Sequence, residues 1–307
     1  MPLRYTFRQL EYFVAVGEAG SIAKAASIVN VSPPSISSSI AQLEAEFGIQ
    51  LFVRKHSHGL ALTAGGRSFY RAATHLLIEA ENLRDLAGDI ADKVTGSLAI
   101  GCLATFAQII LPELRKSYEV KYPDVRIHQY ERDQGRLLDM ILSADLDCAL
   151  TYDLELSQDT SFEPLITLPP YALLAADHRL AGRETVSPQE LANEPMVLLD
   201  LPLSREYFLS LFHHQGLRPN VAERTGNLAV MFSMVANGFG YGVANMRPAL
   251  SISPDGKPMS FVPIEGTHRP LSLGVVTPSG ANVTRKVQSF SDHCREFIRS
   301  HGIFQKV

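Results

Sequence analysis

The chain has no surplus of positive charge. Its 28 lysines and arginines stand against 32 aspartates and glutamates, a net charge of −4 over 307 residues. A protein that coats a polyanion over its whole surface is thereby excluded, although a local basic patch is not. Apolar runs long enough to span a bilayer are absent. Arg4, Arg8, Glu11 and Glu18 surround the short apolar stretch Tyr12–Val16, so neither an export signal nor a membrane anchor is expected, and the expected compartment is the cytoplasm. Cysteine is scarce. Cys102, Cys148 and Cys294 lie far apart, the first two in apolar strand-like runs, which predicts buried reduced thiols; a redox pair is the alternative, without a spacing argument for it.

Catalytic signatures are missing too. There is no G-x-S-x-G turn and no lysine-bearing phosphate loop, and "NGFGYG" lies between a helix and a strand, the reverse of the order a dinucleotide loop needs. The ten histidines are scattered. His213 and His214 are adjacent and so point about 100° apart on a helix, and His56 and His58 lack a cysteine or carboxylate at ligand spacing. No metal, no cofactor and no enzymatic activity are expected.

What is present is asymmetric. Up to Arg71 there are seven basic and four acidic residues, a net +3, which leaves −7 for the remainder. In that basic head, "FRQLEYFVAVGEAG" sets Leu10, Phe13, Val14 and Val16 on one helical face and ends at glycine. Ser21 is the expected cap of a second helix through Ile28, Asn30 suits a left-handed turn, and Ser32 followed by Pro33 opens a third helix ending at Gly48. Two helices joined so tightly predict a helix-turn-helix, whose second helix enters the major groove of DNA. Ser32, Ser35, Ser38 and Ser39 are read as lying off its apolar face, where hydroxyls approach bases and phosphates; a bare solvated helix face is the competing reading. "LFVRKHSHGLALTAGG" then predicts a basic hairpin, a wing for phosphate contact.

The sixty residues from "FRQLEYF" to "LTAGG" resemble the winged helix-turn-helix of LysR-type transcriptional regulators, through F-x-x-V, S-x-x-x-A-A, L-E-x-x-x-G-x-x-L-F-x-R and L-T-x-x-G. The resemblance implies DNA contacts from Ser32, Pro33, Pro34, Ser35, Ser37, Ser38, Ser39, Arg54, Lys55 and His56. Pro33 replaces a usual glutamine and Ser38 a usual arginine, lysine or glutamine, which points to an unusual target or to more weight on phosphate contacts.

Phe69, Ala73, Leu76, Ala80, Leu83, Ala87 and Ile90 recur every four and three residues, a heptad seam alternating large residues with alanine. It predicts a linker helix that pairs with its copy in a homodimer, antiparallel by the resemblance; packing on the chain's own body is the alternative. After Lys93, strands alternate with helices, predicting an α/β body of two subdomains. It resembles a periplasmic-binding-protein clamshell, the effector domain of LysR-type regulators.

The expected organisation is a winged helix-turn-helix over residues 1–63 (α with a small β-hairpin), a linker helix over 64–92, and an effector domain over 93–307. Subdomain I takes 93–162 and 268–307, subdomain II 163–267. Ligands of open α/β sheets bind at strand ends beside helix N-termini. Thr105, Ser204 and Asn227 are read as polar caps at three such ends, each of which could equally be an ordinary structural cap. Arg132 and Arg205 are candidates for a carboxylate, each of which could equally be a solvated surface residue, and Asp200 for a donor on the same molecule. The resemblance implies effector contacts from the loops of Thr105 and Ser204 and from the segment Arg132–Gln134, which adds Phe106, Gln134 and Leu203. The expected protein is a DNA-binding transcriptional regulator controlled by a small carboxylate. Its expected partners are double-stranded DNA, itself as dimer or tetramer, and RNA polymerase. The alternative is a ligand-binding protein or small-molecule enzyme with an accessory helical domain.

Overall fold

The computed structural model describes residues 4–55, 59–89, 93–280, 283–302 and 304. The chain divides into two units, Met1–Lys93 and Val94–Val307. In the first, α1 (Phe7–Ala19), α2 (Ile22–Ile28) and α3 (Pro33–Phe47) precede the hairpin β1 (Phe52–Lys55) and β2 (Gly59–Leu62), and α4 (Ala64–Asp89) follows. Thr6 and Gln9 form a reciprocal capping box on α1, which ends at Gly20 in the left-handed conformation. Asn30 takes φ 53° between α2 and α3. Ser21 precedes α2, but its side chain makes no capping bond. Leu10, Phe13, Val16, Ala25, Ala26, Ile36, Ile40 and Leu43 form the core of the three helices. The hairpin is docked by its backbone: Leu60 N–H donates to the Gly20 carbonyl at 2.8 Å. Gly59, at φ 87°, lies so close that a Cβ there would fall 2.4 Å from the Gly20 oxygen.

In the second unit, β3 (Gly96–Leu103), α5 (Ala104–Ala107), α6 (Leu111–Lys121), β4 (Val125–Arg132), α7 (Gln134–Leu142), β5 (Cys148–Tyr152) and β6 (Thr160–Leu168) come first. Next are β7 (Tyr171–Ala175), α8 (Pro188–Ala192), β8 (Pro195–Leu199), α9 (Ser204–His213), β9 (Asn220–Thr225), α10 (Leu228–Ala236), β10 (Gly242–Ala244) and β11 (Met259–Pro263). The chain then returns through β12 (Leu271–Pro278) and α11 (Arg285–Ser300).

The sheet of subdomain I has the order β4-β3-β5-β12-β6, with β3, β4 and β5 parallel and β12 antiparallel to both its neighbours. Subdomain II repeats this wiring. β8 and β9 are parallel, β7 runs antiparallel between β10 and β11, and one parallel bridge, Met196 to Tyr241, joins β8 beside β10. Two strands carry the chain between subdomains. β6 pairs with β12 from Thr160 to Leu168, so the first crossing falls at Pro169–Pro170 and not near residue 163 as the hydropathy pattern suggested. Half-exposed residues along β6 blur its pattern, and only the pairing assigns it to subdomain I. The second crossing lies between β11 and β12, and α11 then packs on α6, where Tyr118 bonds Ser289.

Candidate functional site

Two surfaces concentrate the expected chemistry, one in each unit. On the first, Ser32 caps α3: its hydroxyl accepts from Ser35 N–H at 3.4 Å and lies 2.8 Å from the Ser35 hydroxyl. Pro33, Pro34, Ser35, Ser37 and Ser38 are exposed. Ser37 returns its hydroxyl to the Pro33 carbonyl at 3.1 Å, which leaves Ser38 the freest hydroxyl of the helix face. Ser39 differs from expectation. It is 6 % exposed and its hydroxyl is unpartnered among the described residues. The cause is periodic: position 39 lies three residues after Ile36, on the flank of the buried stripe.

Beside this face Arg4, Arg8, Gln9, Tyr12, Pro34, Ser38 and Gln42 line one shallow hollow. Arg4, Arg8 and Gln42 were not singled out as contacts in the sequence, because they come from the N-terminal segment, α1 and α3 and meet only in the fold. Gln9 Nε2 donates to Gln42 Oε1 at 2.8 Å, tying α1 to α3. Arg54 is exposed on β1 and Lys55 pairs with Gly59 at the hairpin end; His56 lies outside the described residues.

The linker seam divides. Phe69 stacks edge-on to Phe13 at 5.3 Å and tilts against Phe47 at 4.7 Å, and Ala73 is 3 % exposed, so both belong to the head's own core. Leu76 is exposed and Ala80 half-buried, which leaves them open on α4. Ile90 and the side chains of Leu83 and Ala87 lie outside the described residues.

In the second unit a narrow cleft of only about 10 Å³ lies where the strand ends of the two subdomains meet. Its walls stand so close that about one water-sized group fits between them, so a larger molecule enters by parting them. Tyr152, Leu199, Phe208 and Leu228 make it apolar, and Thr105, Ser204 and Asn245 supply the polar side chains. Phe106, fully buried, backs Tyr152 with ring centroids 4.6 Å apart.

Thr105 and Ser204 reach the cleft but are not helix caps. Thr105 sits inside the four-residue α5, and Ser204 is the first residue of α9, after Leu203. Leu203 has φ 66° and ψ −43°, with Ser204 N–H bonded to the Pro202 carbonyl at 2.8 Å, a strained three-residue turn. Asn227 does cap α10, accepting from Ala229 and Val230, but it is exposed and outside the cleft lining.

The charged candidates are used within the chain. Asp200 binds Arg205 at 2.8 Å and Arg224 at 3.3 Å, and Arg205 also binds Glu206. The Arg205 guanidinium holds the Asp200 carboxyl below its usual range. Arg205, with help from the backbone at Glu206 and Leu203, does the same for Glu206, so an internal carboxylate already serves the start of α9. Arg132 is exposed and bonds the Glu131 carbonyl. Gln134 is fully buried, donating to the Tyr152 and Leu154 carbonyls. The cleft lining holds no charged side chain. Among the described residues no cluster of metal-ligating side chains occurs, and no helix is long and apolar enough to cross a membrane.

Residues 7–67 match the profile of the bacterial regulatory helix-turn-helix proteins of the lysR family, and residues 91–299 that of the LysR substrate binding domain. The chain belongs to the LysR family. It is a transcriptional regulator with a DNA-binding head and an effector-binding domain, not an enzyme. As a LysR-type regulator it is 27 % identical over 303 residues to the DNA-binding transcriptional dual regulator OxyR of Escherichia coli, covering 98 % of this chain and 97 % of that one. It is 36 % identical to HinK, a LysR family transcriptional regulator from Pseudomonas aeruginosa, with TM-score 0.64 over 95 % of this chain and 98 % of the other. The regulator CbnR, solved with its target DNA, shares the fold at 21 % identity, with TM-score 0.69 over 95 % and 99 % of the two chains.

Proposed function

We propose that this LysR-type regulator reads DNA with the entry of α3 and the wing, and that a small effector in the cleft of the second unit alters that reading. The observation that carries the proposal is the outward face of α3: Ser35 and Ser38 lie exposed beside Arg4, Arg8 and Gln42 in one hollow. Short hydroxyls and an amide approach base edges, while the arginines and Arg54 neutralise phosphates. Pro33 and Pro34 fix the helix entry without adding a donor. The working form is a homodimer joined through Leu76, Ala80 and the seam beyond them, matching a two-part DNA site, with a tetramer and RNA polymerase contact as further assembly. Its place of action is the cytoplasm.

The finer reading from the sequence is a small carboxylate effector. The hydroxyls of Thr105 and Ser204 at the cleft support it; the engagement of Arg205 by Asp200 and Glu206 weighs against a guanidinium clamp. A carboxylate here would be held by hydroxyls. Coupling between cleft and DNA of about 1–3 kcal/mol is enough to change which sites are occupied. Thiol chemistry has no part in this reading, since all three cysteines are buried and free.

The test is fluorescence anisotropy of the full chain with labelled DNA from upstream of its own gene, in excess unrelated DNA and at several salt concentrations. Binding that survives the competitor and weakens steadily with salt is expected. Binding no tighter than to the competitor, there and across genomic fragments, would refute specific recognition.

A further inference from the structure

Asn245 follows β10 and carries no sequence motif, yet its side chain is the most constrained polar group of the cleft. The residue is 2 % exposed. Its Nδ2 donates to the Leu168 carbonyl at 2.9 Å and to the Tyr207 hydroxyl at 3.1 Å. The Tyr207 hydroxyl in turn donates to the Arg269 carbonyl at 3.0 Å. Leu168 ends β6 and Arg269 lies just before β12, so this one amide is tied to both connections between the subdomains.

Both N–H groups of the amide are thereby used, and a flip would turn Oδ1 against the Leu168 carbonyl. Oδ1 is left buried and without a hydrogen-bond partner among the described residues. The Thr105 hydroxyl, 8 % exposed and lining the same cleft from the other subdomain, is likewise unpartnered. Buried polar atoms are almost always paired, so two orphans in one cleft mark the place where a ligand completes the pairing.

We infer that Asn245 selects the effector: the ligand donates a hydrogen bond from an uncharged O–H or N–H to Asn245 Oδ1, accepts one from Thr105, and acts through Asn245 on both crossing strands. The inference rests on the cleft being the effector site. It specifies a compact molecule bearing a hydroxyl or amide donor, such as a hydroxy acid or its amide. A carboxylate directed at Asn245 would meet an acceptor in a lining that holds no cation, so any carboxylate on the ligand lies towards Ser204.

The experiment uses the full chain and two probes, lactamide and glycolamide, each against its O-methyl-N,N-dimethyl analogue, which has lost every O–H and N–H donor, with affinity read by thermal shift and calorimetry. The parent compounds are expected to bind at least about tenfold more tightly than their analogues, since methylation leaves the buried acceptor unpaired. Asn245→Leu should abolish that preference. Thr105→Val keeps the side-chain shape and removes an unpaired hydroxyl, so it should fold at least as well while weakening the parents selectively. Tyr207→Phe should keep the preference but diminish the change in DNA anisotropy that lactamide causes. Equal binding of parents and analogues, or a preference that survives Asn245→Leu, overturns the inference and leaves the cleft as effector site. Binding by neither set, with DNA recognition intact, removes the inference together with the cleft as a site for such molecules.

Discussion

The Asp200 carboxylate and the Arg205 guanidinium meet at 2.8 Å across the turn into α9, and Arg224 of β9 holds the other oxygen at 3.3 Å. The pair therefore ties the turn before α9 to β9. Its carboxyl titrates below the usual range in the fold. A depressed carboxyl contributes stability that is present above the unfolded value, about 3.9, and is lost as pH falls through the folded one. Asp200→Asn should lower the denaturation midpoint slightly at pH 7 and remove part of the acid sensitivity below about pH 4. Unfolding curves for both proteins across that range check it; parallel curves would mean that the pair does not hold the turn.

Leu203 bears the strain of the same turn. At φ 66° a side chain crowds its own backbone, a cost of about 1–2 kcal/mol that glycine avoids. Leu203→Gly relieves that strain but gives up the packing of a half-buried side chain on the core and adds backbone entropy, so it should destabilise the fold by no more than about 1–2 kcal/mol, less than leucine truncation costs at an unstrained buried site. Because the turn delivers Ser204 to the cleft, the same change should weaken effector binding. Chemical denaturation and a ligand titration measure the two effects separately.

Cys102, Cys148 and Cys294 are buried in the core of subdomain I, and burial pushes each thiol up. A thiol that resists ionisation is a poor nucleophile. In native protein none of the three is expected to react with a thiol reagent within the time that denatured protein takes to react fully. Hydrogen peroxide should leave DNA affinity unchanged. Rapid labelling of even one thiol in the folded state would contradict this burial.

The head was legible in the sequence nearly residue by residue, because its signals are local. Ser32–Pro33, Asn30 and Gly48 act within a turn of where they stand, and each keeps the role read for it. The cleft was legible only in outline. Thr105 and Ser204 were found because they follow strands, but only the fold brings them into one cleft with Asn245. Arg205 and Asp200 illustrate the opposite failure. Their charges suggested a ligand, and only the fold reveals that each answers the other. Ser39 and Ala73 were assigned to outward faces, yet both are buried in the head.

The seam on α4 gives two substitutions with different expected outcomes. Ala73 lies in the head's core, and a buried glutamate there costs about 3 kcal/mol or more. Ala73→Glu should therefore unfold the head and abolish DNA binding at any protein concentration. Ala80 is half-buried and not part of that core. Ala80→Glu should leave the head folded and halve the mass seen in sedimentation. If Ala80→Glu keeps the wild-type mass, the homodimer does not form through this helix.

His293 gives a pH dependence of a different kind. It lies on α11 at 8 % exposure, its Nε2 2.8 Å from the Ser117 hydroxyl and its Nδ1 buried without a partner among the described residues. The Tyr118 ring stands edge-on to it at 5.5 Å. Burial lowers its pKa; the Leu114 backbone opposes that, Lys121 adds to it, and Glu296 opposes it. The folded state thus resists a proton that the unfolded chain accepts near pH 6.5. Its contribution is complete above that value and declines as pH falls below it towards the folded pKa, because there the unfolded state binds more protons. The melting temperature should accordingly drop between pH 7.5 and pH 5.5, and His293→Leu should flatten that drop. Nuclear magnetic resonance of the imidazole protons tests the cause directly: a ring that titrates at the value of a free histidine would rule it out.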